Sequence, residues 1–404
     1  MKFHYFLPLL ILGLAGCATT PIISNQGVEG TATVVPESST IEKIRVAIAV
    51  RQNSIHLAAP ESFTLSGFPF ETPVVQRGAK NYKETTLTFD QLYADKAYIE
   101  PLDGGEIQVN GKDFKGAMEI LREPGGTLTV VNELSLEDYV MGVLAGEIPR
   151  DWPLEALKAQ AIAARTFAVL KRGEAQEKNE PYDLENTAQF QMYQGSGLVN
   201  EKIRQAVLET QGRIATFDSR PIAAFFHSNC GGETCGAMDV WSQDKPYLKP
   251  VNCPFGNNGT HFKWKTEIPI RDLVRSLRGA GVKIGDIVRM EALERDGSNR
   301  ILRLSLMDAD GSHKIIRGAT FRMAVGPDVI RSTRFTAEVG PTMVVFNGKG
   351  WGHGVGLCQE GACGMALKGY SAFEILRYYY HGIMVEKLKE EAQVTSAGGQ
   401  AGNR

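Results

Sequence analysis

The stretch SLEDYVMGVLAGEIPRDWPLEALKAQAIAARTFAV, residues 135–169, decides the fold. Its first half sets Leu136, Tyr139, Val140, Val143 and Leu144 at i, i+3, i+4, i+7 and i+8, the apolar stripe of a helix. Ser135 with Asp138 gives the start signal, and Gly146-Glu147-Ile148-Pro149 the end. A second helix is expected from about Pro153, a favoured first-turn residue, to about Arg172. There Ala156, Ala159, Ala161, Ala163, Ala164 and Ala168 are small enough for another element to approach closely. Gln160 and Arg165 are polar residues set in that surface, and burying them requires partners.

Strands surround this helix pair. Ile44, Val46, Ile48 and Val50 alternate as in a half-buried strand. Residues 61–125 are β-rich, Asn110-Gly111 marks a hairpin, and Thr127 to Val131 is another strand. Further on, a hairpin over 213–227 is expected around Asp218-Ser219-Arg220-Pro221, and strands at 301–307 and 313–317 are joined by Asp308 to Gly311. A glycine-rich loop follows at 348–356. Two short helices close the chain, the last capped by Ser371 and Glu374 and ending at Gly382. Strands, a helix pair, strands and helices in that order predict an α+β fold. The expected organisation is one domain over 41–388, with a β-rich part at 41–132 and a motif-bearing core at 133–388, followed by a disordered tail at 389–404.

The 404 residues carry 44 Lys and Arg against 46 Asp and Glu, a net charge of −2, which argues against nucleic acid as a partner. Apolar residues at 43% and charged residues at 22% describe a globular chain. At the N-terminus Lys2 and His4 precede an apolar run from Tyr5 to Leu14, too short to span a membrane but suited to a signal peptide over 1–16. The run ends in Leu14-Ala15-Gly16-Cys17, which resembles a bacterial lipobox with Cys17 as the lipidated residue. Residues 17–40 then form a lipidated cysteine and flexible tether. Ala18 is not Asp, which points to the periplasmic face of an outer membrane.

Three clusters can carry chemistry. Glu147 sits between Gly146 and Pro149, where withdrawal from water raises a carboxyl pKa and suits a general acid. The competing account is a carboxylate that satisfies helix donors. Gln160 and Arg165 either orient Glu147 or a sugar, or brace the fold. In FFHSNCGGETC (225–235), His227, Cys230 and Cys235, together with Cys253, have the donor types of a Cys₃His zinc site, while a Cys230–Cys253 disulfide competes outside the cytoplasm. Gly231 and Gly232 permit close approach to the backbone. In GKGWGHGVGLCQEGACGMA (348–366), alternating glycines present Trp351 and His353, residues suited to stacking on and hydrogen bonding to sugars.

These strings, with DLENTAQFQMY (183–193), Trp241, Pro246-Tyr247-Leu248 and Arg331 to Phe335, resemble the family of stage II sporulation protein D and the amidase enhancer LytB over roughly 44–385. The resemblance implies a lytic transglycosylase acting on peptidoglycan glycan strands stripped of stem peptides. Glu147 matches the catalytic acid of the family. The implied glycan contacts are Gln160, Arg165, Tyr193, His227, Ser228, Gly231, Gly232, Trp351, His353 and Gln359. A single carboxyl protonates the glycosidic oxygen and then takes the proton of the muramoyl 6-hydroxyl, leaving a 1,6-anhydro end without the second carboxylate of most glycosidases. The alternative within the resemblance is a non-catalytic amidase enhancer, with a cell-wall amidase as partner. No cofactor is required, and zinc, associated with some members through His and Cys, stays possible. Glu360 departs from the pattern, since many members carry Trp after the glutamine.

Overall fold

The computed structural model describes residues 42–388, apart from 60–62, 68–73, 77–82, 93, 102–103 and 188–189. The signal at 1–16, the lipidated Cys17 and tether to residue 40, and the tail at 389–404 lie outside the described residues. The fold is α+β and β-rich.

Helix α1 (Leu136–Glu147) starts where its cap requires: Ser135 Oγ accepts the Asp138 N–H at 3.0 Å and donates to the Asp138 carboxylate at 2.6 Å. Its stripe of Leu136, Tyr139, Val140, Val143 and Leu144 is buried. Helix α2 (Leu154–Glu177) runs past Arg172, in a stretch of good helix formers with a Lys171–Glu174 pair at 2.6 Å. The alanines of α2 serve two cores. Ala161, Ala164 and Ala168 pack with α1 and the N-terminal strands, while Ala159 and Ala163 pack with the C-terminal motifs.

Under α1 lies a sheet in the order Leu184–Glu185, Lys43–Gln52, Thr127–Ser135, Ala117–Glu123, Lys96–Pro101, Phe63–Ser66, Val74–Gln76. A second sheet contains the Asn110-Gly111 hairpin between Glu106–Val109 and Lys112–Lys115, with both turn residues at positive φ (49° and 80°). Helix α3 (Glu201–Glu209) leads into Arg213–Phe217, and α4 (Ala237–Trp241) is a single short turn. The hairpin expected over 213–227 is shorter than its sequence suggested. Its return strand is only Arg220–Pro221, because Phe226–His227 pairs in parallel with Leu357–Cys358 instead.

Residues 263–349 build their own core from Leu273, Leu277, Leu304, Leu306, Phe321, Phe335 and Phe346. It holds one sheet of Lys263–Pro269, Met343–Lys349 and Phe335–Val339, another of Ile287–Arg295, Ile301–Asp308 and His313–Arg317, and helices α5 (Ile270–Gly279) and α6 (Gly318–Val325). Then come α7 (Gln359–Leu367) and α8 (Ala372–Tyr379), and a strand at Met384–Lys387 pairs with Arg213–Phe217. Helix α8 has the Ser371/Glu374 capping box but stops before Gly382, because Tyr380 turns to extended backbone and its hydroxyl donates to Phe225 O at 2.8 Å.

Candidate active site

The pairing of Phe226–His227 with Leu357–Cys358, extended by bridges Asn229–Trp351 and Cys235–Val355, lays the HSNC segment against the glycine-rich loop. This contact explains the glycines. A Cβ on Gly350 would lie 2.6 Å from Asn229 O, and one on Gly231 would lie 2.9 Å from Lys349 C, with both residues at positive φ. Gly231 therefore serves chain-to-chain packing, and the approach of a sugar to Gly231 and Gly232 expected from sequence is not what fixes them. Neither lines the cleft described next.

That cleft, about 1750 Å³, is lined by Glu147, His227, Ser228, Trp351, His353 and Gln359 and by residues drawn from 294–333, including Arg303, Arg317 and Met323. Its volume exceeds the ~300–1,000 Å³ of small-ligand pockets, so it fits an extended substrate.

Glu147 is the last residue of α1. Its Oε1 accepts the Met192 N–H at 2.7 Å. Burial holds its pKa above the ordinary carboxyl value, opposed by the Met192 N–H and by the Gln359 amide. The carbonyl end of the α1 dipole acts in the same direction as burial. Gln359 Nε2 makes no hydrogen bond of normal geometry, so the amide acts on Glu147 as a nearby buried dipole.

His227 and His353 are both held neutral, mainly by burial, His227 far below its usual pKa and His353 down to about 3. His227 Nδ1 lies 3.1 Å from Val355 O, and a carbonyl only accepts, so Nδ1 carries the proton. Nε2 is then a lone pair, buried and without a partner. His353 has the opposite arrangement, with Nδ1 accepting the Val355 N–H at 3.1 Å. Trp351 is clamped: the Arg331 guanidinium lies 4.6 Å from its ring centroid, and His261 meets it edge-on at 4.6 Å. His261 is held by Glu360 at 2.7 Å, and Glu360 also accepts from Asn229 Nδ2 at 2.5 Å. Glu360 thus ties the HSNC loop to Thr260 and His261, just before the 263–349 unit.

Three other expected contacts are structural. Arg165 is fully buried and forks onto Glu137 (Nε–Oε1 2.9 Å, Nη2–Oε2 2.5 Å), with further bonds to Arg213 O and Val207 O. It braces α2 and does not reach the cleft. Tyr193 packs between Tyr139 and Phe114, and its hydroxyl donates to Asn132 Oδ1 at 2.9 Å. Gln160 is buried away from the cleft, with both amide atoms unpartnered.

The expected ligand set of His227, Cys230, Cys235 and Cys253 is not the set that converges. Cys235 donates instead to His353 O at 3.2 Å, and burial pushes its thiol up to about 12. Cys358 takes its place: ligand atoms of His227, Cys230 and Cys358 lie within 4.8 Å of one another. Cys253 stands beside the thiols of Cys230 and Cys358 but outside the set of three whose ligand atoms all lie within 4.8 Å of one another. Cys230 and Cys253 stand as free thiols and not as the expected disulfide. Backbone N–H groups of Cys230 and Gly361 point at Cys358 Sγ, each at 3.3 Å, and Gly232 N–H points at Cys230 Sγ at 3.4 Å. Soft donors, amides aimed at sulfur, and an imidazole fixed through its other nitrogen fit zinc.

Sequence reasoning gave no site role to Met192, to Trp241, although Trp241 is among the quoted matches, or to the cleft residues of 294–333. Met192 lies inside the quoted 183–193 string, but its contribution is a backbone N–H, which no side-chain pattern reports. The cleft residues of 294–333 other than Thr333 lie outside the quoted strings.

A family model described as stage II sporulation protein matches residues 124–217, and one for a domain of unknown function matches 252–356. An uncharacterized protein of Brachyspira hyodysenteriae is 33% identical over 347 residues, 80% of this chain and 84% of that protein. Stage II sporulation protein D of Bacillus subtilis is 31% identical over 64% of this chain and 76% of its own length. The amidase enhancer of Bacillus subtilis is 28% identical over 72% of this chain and 47% of its own length.

Proposed function

Because the chain belongs to the stage II sporulation protein D family and so has a cell-wall function, we propose that it is a lytic transglycosylase of peptidoglycan. One observation carries this: Glu147 is a carboxyl with a raised pKa that lines a cleft of about 1750 Å³, roomy enough for several sugar rings. Protonated Glu147 gives its proton to the oxygen linking N-acetylmuramic acid to N-acetylglucosamine, and the C1–O bond breaks. The muramoyl O6 bonds to C1, and its proton passes to the Glu147 carboxylate. The cycle restores the acid and consumes no water. Gln359 and the Met192 N–H support the ionised state in the middle of the cycle.

Zinc belongs to the proposal as a structural ion held by His227, Cys230 and Cys358, with Cys253 beside them, where it would lock the HSNC loop to α7. Metal analysis of purified protein checks it: loss of bound zinc in Cys358→Ser but not in Cys235→Ser is expected. Lipidation at Cys17 and the periplasmic face of an outer membrane are likewise proposed, tested by fatty-acid labelling of Cys17→Ser. Incubation of residues 18–404 with peptide-free glycan, followed by mass spectrometry, tests the reaction. Anhydro ends that vanish in Glu147→Gln support it. The relative named amidase enhancer favours a second reading, glycan binding that stimulates an amidase. Binding without cleavage, unchanged in Glu147→Gln, selects that reading.

A further inference from the structure

Trp241 ends α4 and lines the same cleft as Glu147, with 37% of its surface exposed. It is held in place from below. Its ring lies 4.5 Å from the Phe225 centroid and 5.1 Å from that of His353. Around it, Met238 from α4 and Met323 from α6 also line the cleft, each 56% exposed. Arg317, which precedes α6, donates to Val240 O of α4 at 3.1 Å, so the two methionines come from adjoining elements. Leaving an indole and two thioethers in water forgoes the free energy of burying them, and an apolar patch rimmed by polar groups marks a binding surface. By contrast, the other indole in the cleft, Trp351, is covered by Arg331 and His261.

We propose that Trp241 is the stacking platform of a sugar subsite separate from the scissile position, with Met238 and Met323 as its flanks. This rests on the glycan-strand reading of the cleft. A β-linked N-acetylglucosamine-type ring points the axial C–H bonds of C1, C3 and C5 to one face, so that face is apolar and suits an indole. Its acetamido methyl suits a polarizable thioether. The cleft continues from Glu147 to Trp241, so the occupant is another ring of the strand whose cleavable bond lies at Glu147. Phe225 and His353 fix the indole before the sugar arrives, which lowers the ordering cost of binding.

The test is binding of a soluble β-1,4-linked N-acetylglucosamine oligomer by calorimetry and indole fluorescence, in protein carrying Glu147→Gln so that nothing is cleaved. Trp241→Ala is expected to weaken binding ~10-fold or more, while Trp241→Phe stays within about 3-fold of the parent. Met323→Glu, at an exposed position, is expected to weaken binding several-fold without unfolding. Parent-like affinity in both Trp241→Ala and Met323→Glu overturns the proposal, as does failure of the parent to bind. Catalysis is read separately: loss of binding in Trp241→Ala, with no anhydro ends from the wild type, keeps the subsite and removes the transglycosylase reading.

Discussion

Helix α1 carries a carboxylate near each end, and the fold treats the two in opposite ways. Glu137, in the first turn, is engaged by the Arg165 fork and by the Gly212 N–H at 3.1 Å. The helix dipole favours a negative charge there. Glu147, the last residue, has one backbone N–H, the Gln359 amide and an open cleft, and the dipole disfavours its charge. A buried charge that is fully answered holds structure, while one that is half answered can exchange a proton. The type of residue does not distinguish them, but the set of partners does.

The sharpest test of this contrast is activity. Glu147→Gln is expected to lower the yield of anhydro ends by about 10²–10⁴-fold with the fold intact, the usual worth of a positioned acid. Glu137→Gln, compared at equal folded protein, is expected to keep most activity. Equal loss in both would break the comparison. Next comes stability. Glu137→Ala strands a fully buried guanidinium and is expected to cost about 3–5 kcal/mol in urea unfolding. A negligible cost would mean that the carbonyls of Val207 and Arg213 suffice.

The pH profile sharpens the contrast further. The acid form of Glu147 is the active one, so activity is expected to fall as pH rises through its raised pKa. The Gln359 amide holds that pKa down, so Gln359→Leu is expected to move the alkaline limb to higher pH. Movement to lower pH would assign the limb to another group. The smallest effect is on stability against pH. A carboxyl whose folded pKa is raised contributes its stability below the unfolded pKa and loses it as pH rises through the folded one. Glu147→Gln is therefore expected to raise the melting temperature at alkaline pH and to leave it unchanged in acid.

Much of this was legible in the chain. Ser135 and Asp138, the stripe from Leu136 to Leu144, and the Asn110-Gly111 turn are local devices. Each acts within a few residues, so periodicity reports them directly. Glu147 was legible as a candidate because its flanks end one helix and precede another. The residues that lie elsewhere than the resemblance implied share a cause. Arg165 and Tyr193 sit in the right strings, but Arg165 is answered by Glu137 across 28 positions and Tyr193 by Asn132 across 61. Cys235 is five positions from Cys230, whereas Cys358, which actually joins it, comes from the far end of the chain.

By itself, then, the sequence determined the helix pair, its caps, the hairpin turns and the position of Glu147 at a helix end, because these depend on neighbours along the chain. Tertiary structure alone decided which thiols meet, that Trp241 and Trp351 line one cleft, that Met192 supplies an N–H to the acid, and that residues of 294–333 join the lining. Those outcomes depend on contacts between segments far apart in the chain, and burial and pairing act across such distances without leaving a local pattern.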